Sequence, residues 1–301
     1  MKAKEIIRQT VAGLMQAVER LLIKLNIIRP KIIIWIDGGI CSQIFQWLKG
    51  QYYAEKGYDV YYDTIWFVKY GYNLDGTIAY YFELQEMCPD VKVPQLSAFR
   101  NNFYRLFFRV TEYENNMLPD RETIRQSMYI SRYPNIPDKK WLEDNVYKFF
   151  GIDKIKTVPE SLLPIVDGKM TCAVHVRRGD LAKRNIAGFY TMTPTQYFFD
   201  TIDYVAKKYK NVCFCFFSDE LDFIETDILP SLTLPNTCDY VLMQGNKAYE
   251  DLVLVARCDM IIGSQGSASR YGAMMNPKSG LILPKINDEV VVGYDVIRDM
   301  Q

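Results

Sequence analysis

The sequence predicts an α/β protein with two cores, the C-terminal one a parallel, doubly wound sheet. Three observations carry this. The 301 residues exceed what one core usually serves, since domains run about 100 to 200 residues. From residue 171 to 283, short apolar runs alternate without a break with helix-length segments, a pattern that builds parallel strands with helices on both faces. The stretch 151-GIDKIKTVPESLLPIVDGK-169, with two Pro and flanking Gly, reads as the linker. The expected divisions are a terminal helix at 1–30, a first α/β domain at 31–160 and a Rossmann-like domain at 161–301.

In chain order, residues 1 to 27 place Ile7, Val11, Leu14, Val18, Leu21, Leu22 and Leu25 at spacings of mostly three and four, which predicts an amphipathic helix. Its polar side carries Lys2, Lys4, Arg8, Arg20 and Lys24 against Glu5 and Glu19. The favoured reading is a helix docked on the domain; the sharper one is a basic helix resting on anionic lipid, a peripheral membrane contact through residues 1–27. Next, 31-KIIIWI-36 is a β-branched strand, Asp37-Gly38-Gly39 a tight turn, Gln43 to Glu55 a helix, and 58-YDVYYD-63 a second strand. Residues 64 to 150 are irregular, with helical pieces near 97–109 and 139–150. Beyond the linker come strand 171–176, helix 194–209, strand 211–217, helix 220–229, strand 239–243, helix 247–257, strand 259–262, helix 268–275 and strand 281–283.

Composition excludes several classes. Lys plus Arg and Asp plus Glu both total 36, so no net field draws nucleic acid to the whole surface. The seven Cys are scattered, mostly inside apolar runs such as 211-NVCFCFF-217, and read as small hydrophobes of a reducing, cytoplasmic compartment. The only His is His175, so no ligand spacing for a metal exists. Neither a signal-peptide core nor an apolar run of about 18 residues is present.

In open parallel sheets ligands bind beyond the carboxyl ends of the strands, so the strand ends carry the candidates. The first ends in His175-Val176-Arg177-Arg178-Gly179-Asp180. His175 and Arg177 share a face, and Arg178 can swing to the same crevice; two guanidinium forks there suit a diphosphate. Against this stands a structural network of the arginines with Asp180. The second strand ends in Ser218-Asp219, where a carboxylate could accept from N1–H and the N2 amino group of guanine, or the pair could cap the next helix. The fourth ends in 263-GSQGSAS-269 before a helix, whose small residues and helix N-terminus suit a phosphate, or form a plain turn.

These segments, with Asp251-Leu252, Ile261-Ile262-Gly263-Ser264 and Ser269-Arg270-Tyr271-Gly272-Ala273, resemble in content and order the motifs of the α-1,2-fucosyltransferases of glycosyltransferase family 11. The segment 38-GGICSQIFQW-47 resembles that family's opening Gly-Gly motif. The resemblance implies a GT-B-type, metal-independent enzyme with no cofactor beyond its donor substrate, GDP-fucose, and an oligosaccharide or glycolipid acceptor. It implies that Arg177 holds the diphosphate, Arg178 and Asp180 shape the turn, His175 lies near the nucleotide and Asp219 reads guanine. Ser267 and Ser269 would meet the phosphate, and Gly38, Gly39 and Gln43 the N-terminal wall of the cleft. Three departures touch the acceptor and loop contacts: Cys41-Ser42 for Gly-Asn, Arg270-Tyr271 for Trp-Trp, and a Gly-Ser loop one residue longer.

Inversion from a β-linked donor gives an α-linked product through an oxocarbenium-like transition state. Arg177 is expected to stabilise charge on the β-phosphate, and Asp37 is the candidate general base by position. The rivals are another nucleotide-sugar transferase on the same scaffold and, from a different class, an adhesion module using Arg178-Gly179-Asp180.

Overall fold

The computed structural model describes residues 2–72, 79–110, 127–130, 139–155, 168–179, 192–287 and 290–300. Its contacts divide the chain into two units: Met1–Gln85 with Asp90–Leu142, and Glu86–Pro89 with Glu143–Gln301. The division falls at 142/143, ahead of the 160/161 boundary that Pro and Gly suggested; of the linker, residues 156–167 lie outside the described residues. The reason is local. Helix 139–150 buries Val146 and Phe150, and the Cys88 thiol lies 3.7 Å from the Phe149 carbonyl oxygen and 3.6 Å from that of Lys154.

The N-terminal unit contains α1 (Lys2–Lys24), β1 (Lys31–Trp35), α2 (Ile40–Glu55), β2 (Asp59–Asp63), α3 (Ile65–Lys69), α4 (Leu84–Met87, at the division), α5 (Ala98–Phe107), β3 (Arg109–Val110) and β4 (Met128–Ile130). Helix α6 (Lys139–Phe150) follows and lies mostly in the second unit. The sheet is parallel throughout, in the order β2-β1-β4-β3. Ile32, Ile33 and Ile34 are all buried, as a strand covered on both faces requires. Strands β3 and β4 have two and three residues, too few to show a period in sequence.

The C-terminal unit runs β5 (Met170–Val176), α7 (Thr195–Tyr209), β6 (Val212–Ser218), α8 (Leu221–Phe223), β7 (Asp239–Leu242), α9 (Ala248–Arg257), β8 (Met260–Gly263), α10 (Ala268–Met275), β9 (Gly280–Asn287) and β10 (Val290–Arg298). The sheet order is β10-β9-β8-β5-β6-β7. Numbered within the unit, this is the 3-2-1-4-5-6 order of a dinucleotide fold. All neighbours are parallel except β10, which returns antiparallel along β9.

Both faces are covered. Cys172, Val174, Val176, Phe214, Phe216, Met260 and Ile262 pack with Phe198, Ile202 and Val205 of α7. On the other face Gly272 brings α10 against Val255 and Ile261, where an added Cβ would lie 2.9 Å from Val255 Cγ1.

Two elements differ from expectation. Helix 220–229 is one α-helical stretch, Leu221–Phe223, running on through a π turn at Ile224–Ile228 and a 3₁₀ turn at Leu229–Ser231. Strand β10 was not anticipated, because Gly293 and two register shifts break its alternation and only pairing with β9 makes it a strand. Among the described residues no helix is long and apolar enough to cross a membrane, and all seven cysteines are buried and free.

Candidate functional site

In the C-terminal sheet the winding reverses between β5 and β8, and that reversal is where such sheets open a ligand crevice. His175 and Gly263 face each other across this pair. The Ser264 N–H donates to the His175 carbonyl at 3.1 Å, and Ser264 Oγ accepts the Arg177 N–H at 2.8 Å. The β5 turn and the Gly-Ser loop therefore leave the sheet side by side.

Arg177 and Asp219 lie next to this junction. The Arg177 guanidinium forms an ion pair with Asp219 Oδ2, each side chain retaining between a fifth and a quarter of its exposure. The other carboxylate oxygen accepts the Arg178 N–H at 2.9 Å. Gly179, at φ +34°, permits this arrangement: a Cβ there would sit 2.8 Å from Arg177 Nη1 and 2.9 Å from Asp219 Cγ.

The two forks do not converge. Arg178 turns away, donating from Nε to Glu220 at 3.0 Å with its guanidinium stacked 3.5 Å over the Phe223 ring. Two partners in a fixed geometry hold it there, which corrects the expectation of paired forks in one crevice. The same packing removes Arg178 from any free adhesion tip; Asp180 lies outside the described residues. Asp219 engages the two arginines, so the carboxylate assigned to guanine serves first to orient Arg177. Glu220 and Phe223, which settle Arg178, were missed; an acidic and an aromatic residue one helical turn apart after β6 were the available signal.

The remaining predicted residues divide by burial. Ser218 Oγ donates to the Val176 carbonyl at 2.8 Å and accepts the Glu220 N–H at 3.0 Å, tying the ends of β5 and β6 together. Ser269 is buried and meets His175 Nδ1 at 3.1 Å, whereas Ser267 is exposed at the N-terminus of α10. Burial first, then the Arg177 charge, holds His175 down at about 4, so its imidazole is neutral at pH 7.

In the N-terminal unit, Gly38 at φ +74° makes the turn that a side chain would strain, and Gly39 caps α2. Gln43 is buried. Its Nε2 donates to the carbonyls of Gly38 at 3.1 Å and Tyr81 at 2.8 Å, and its Oε1 accepts the Glu83 N–H at 3.0 Å. Those bonds make Gln43 a strut for the turn rather than a wall residue.

Asp37 is held from two sides. Its Oδ1 accepts from Gln46 Nε2 at 2.7 Å while its N–H donates to Gln46 Oε1 at 2.9 Å, and Oδ2 accepts from Trp35 Nε1 at 3.1 Å. Gln46, nine residues away on α2, was missed, having no local pattern to mark it. Asp37 borders a cavity of about 890 Å³, whose wall includes Trp35, Trp66, Tyr70, Arg105 and Arg109. Trp35 and Tyr70 lie 6.4 Å apart, centroid to centroid. Among the described residues no group of three His, Cys, Asp or Glu could hold a metal ion.

Residues 165–290 match the model of glycosyl transferase family 11. An alpha-1,2-colitosyltransferase of Escherichia coli is 23% identical over 266 residues, covering 81% of this chain and 87% of that one. Among solved structures, Arabidopsis thaliana FUT1 in complex with GDP is similar at a TM-score of 0.47 and 8% identity, over 87% of this chain and 72% of that one. The fucosyltransferase NodZ from Bradyrhizobium is similar at 0.45 and 11%, over 90% and 99%.

Proposed function

We propose that this chain, whose residues 165–290 match the model of glycosyl transferase family 11, is a glycosyltransferase that moves L-fucose from GDP-β-L-fucose to O2 of a terminal galactose, with inversion and without a metal. The observation that carries the reading is Arg177 at the winding reversal, its fork aimed by Asp219 beside the 263–267 loop and the N-terminus of α10. A guanidinium beside the positive end of a helix dipole suits a diphosphate.

The leaving group develops charge on the β-phosphate as the glycosidic bond breaks. Arg177 meets that charge, and losing one such donor costs about 10²- to 10³-fold in turnover. Neutral His175 supports the Gly-Ser loop through Ser269. Asp37, held in one orientation by Gln46 and Trp35, takes the proton of the acceptor hydroxyl. The aromatic faces of Trp35, Trp66 and Tyr70 offer platforms for sugar rings, which assigns the cavity beside Asp37 to the acceptor.

The test is a thermal-shift panel with GDP, UDP and ADP, each with and without EDTA. GDP at about 100 times its Kd should stabilise by about 2.7 kcal/mol, UDP and ADP far less, and chelation should change nothing. Equal stabilisation by UDP would replace the donor. The colitosyltransferase relative favours a second donor sugar, colitose, and transfer of the two sugars measured side by side decides between them.

A further inference from the structure

Helix α1 is docked inside out. Its inward side is Ala12, Gln16, Glu19 and Ile23, with Val11 and Leu22 half-buried at its edge: Gln16 Nε2 donates to the Phe107 carbonyl at 2.7 Å, Glu19 accepts the Ser127 N–H at 3.0 Å, and Ile23 is buried. The outward side is Ile7, Leu14, Val18, Leu21 and Leu25, exposed by 63, 63, 50, 56 and 59%. A helix packed for stability alone turns its apolar stripe to the core. Here two long-range hydrogen bonds and a short apolar edge hold the helix, and a continuous apolar stripe faces water, unlike the scattered single residues of an ordinary surface.

Charge decides what covers it. At about 100° per residue, Lys24 lies beside the stripe and Arg20 behind it on the same side, while Arg8 turns to the inward side and the cavity wall. Of the acidic residues on α1, Glu19 is buried and Glu5 pairs with Arg8 at 2.6 Å. The charge left beside the stripe is therefore cationic, Arg20 and Lys24, and a second copy of the stripe would bring no carboxylate to meet it. An anionic surface meets both the apolar and the cationic parts.

We propose that α1 is an interfacial helix that lays the N-terminal unit on an anionic lipid surface through Ile7, Leu14, Val18, Leu21 and Leu25. Its axis lies in the headgroup plane, with the cations at phosphate level. The same helix supplies Arg8, Gln9, Ala12 and Gln16 to the wall of the cavity. If that cavity takes the acceptor, as read above, it opens beside the membrane and receives sugars carried on lipid.

Flotation of the full chain with phosphatidylcholine vesicles, with and without about 30 mol% phosphatidylglycerol, tests this at about 0.15 M salt, where charge effects reach about 8 Å. The chain should float with the anionic vesicles, and Leu14→Gln with Leu21→Gln should cut the floating fraction at least about tenfold with Tm unchanged, because both side chains are already in water. No flotation, flotation unaltered in the double variant, or a dimer in solution that the double variant dissolves would each overturn the proposal. GDP stabilisation is read on the same samples, so loss of flotation leaves the transferase reading standing.

Discussion

Arg177 and Asp219 form one device, and they separate under substitution. Arg177→Lys keeps the charge and loses the fork; turnover should fall about 10²-fold or more, and near-normal steady-state kinetics would remove Arg177 from the diphosphate. Asp219→Asn keeps the shape and loses the ion pair, so donor KM should rise. Two half-buried groups set opposite pH trends. His175 titrates at about 4 in the fold against an ordinary 6.5, so its contribution to stability is complete above pH 6.5 and is lost as pH falls through about 4. Asp251 is raised to about 6, mainly by burial, so its contribution is complete below about 3.8 and is lost as pH rises through 6. Asp251→Asn should therefore gain Tm over the parent between pH 5 and 8 and show little difference at pH 4; a gap independent of pH in calorimetry would contradict this. The sequence placed Arg177 and His175 at a strand end, but not the partners that orient them.

At the scale of elements, the joint between β1 and α2 decides whether Asp37 has a fixed direction. Gln46 closes a two-bond ring with Asp37, and each such bond contributes on the order of 1 kcal/mol net. Gln46→Leu should lower Tm modestly and reduce transfer more than donor hydrolysis, since the acceptor side alone is disturbed. Equal losses in the two assays would count against Asp37 as the base. The Gly-Gly turn was legible because a left-handed position needs Gly. Gln43 and Gln46 were not distinguishable in advance: both are glutamines on one amphipathic helix, and only the neighbours at Tyr81, Glu83 and Asp37 give them different tasks. The β6 turn shows the same limit, since stacking on Phe223 and pairing with Glu220 decided the direction of Arg178.

At the scale of the whole molecule, the alternation of apolar runs and helix-length segments already implied the parallel sheets, because strands covered on both faces leave a continuous apolar signature and helices a 3.6-residue one. The motifs that resemble glycosyltransferase family 11 suggested a reaction class for a similar reason: they are short, local and tied to strand ends. Strand β10 and the two-residue β3 were invisible, since each is a strand only by virtue of a partner distant in the chain. The face that α1 presents was invisible too. Its amphipathic period could be read, yet the period does not say which side meets the protein; the hydrogen bonds of Gln16 and Glu19 settle that. By itself, then, the sequence determined the longer secondary elements, the fold class and the chemistry gathered at the strand ends, all of which follow from local spacing. Tertiary structure alone decided which side chains meet, because ion pairs, struts and docked faces depend on residues brought together across long stretches of chain.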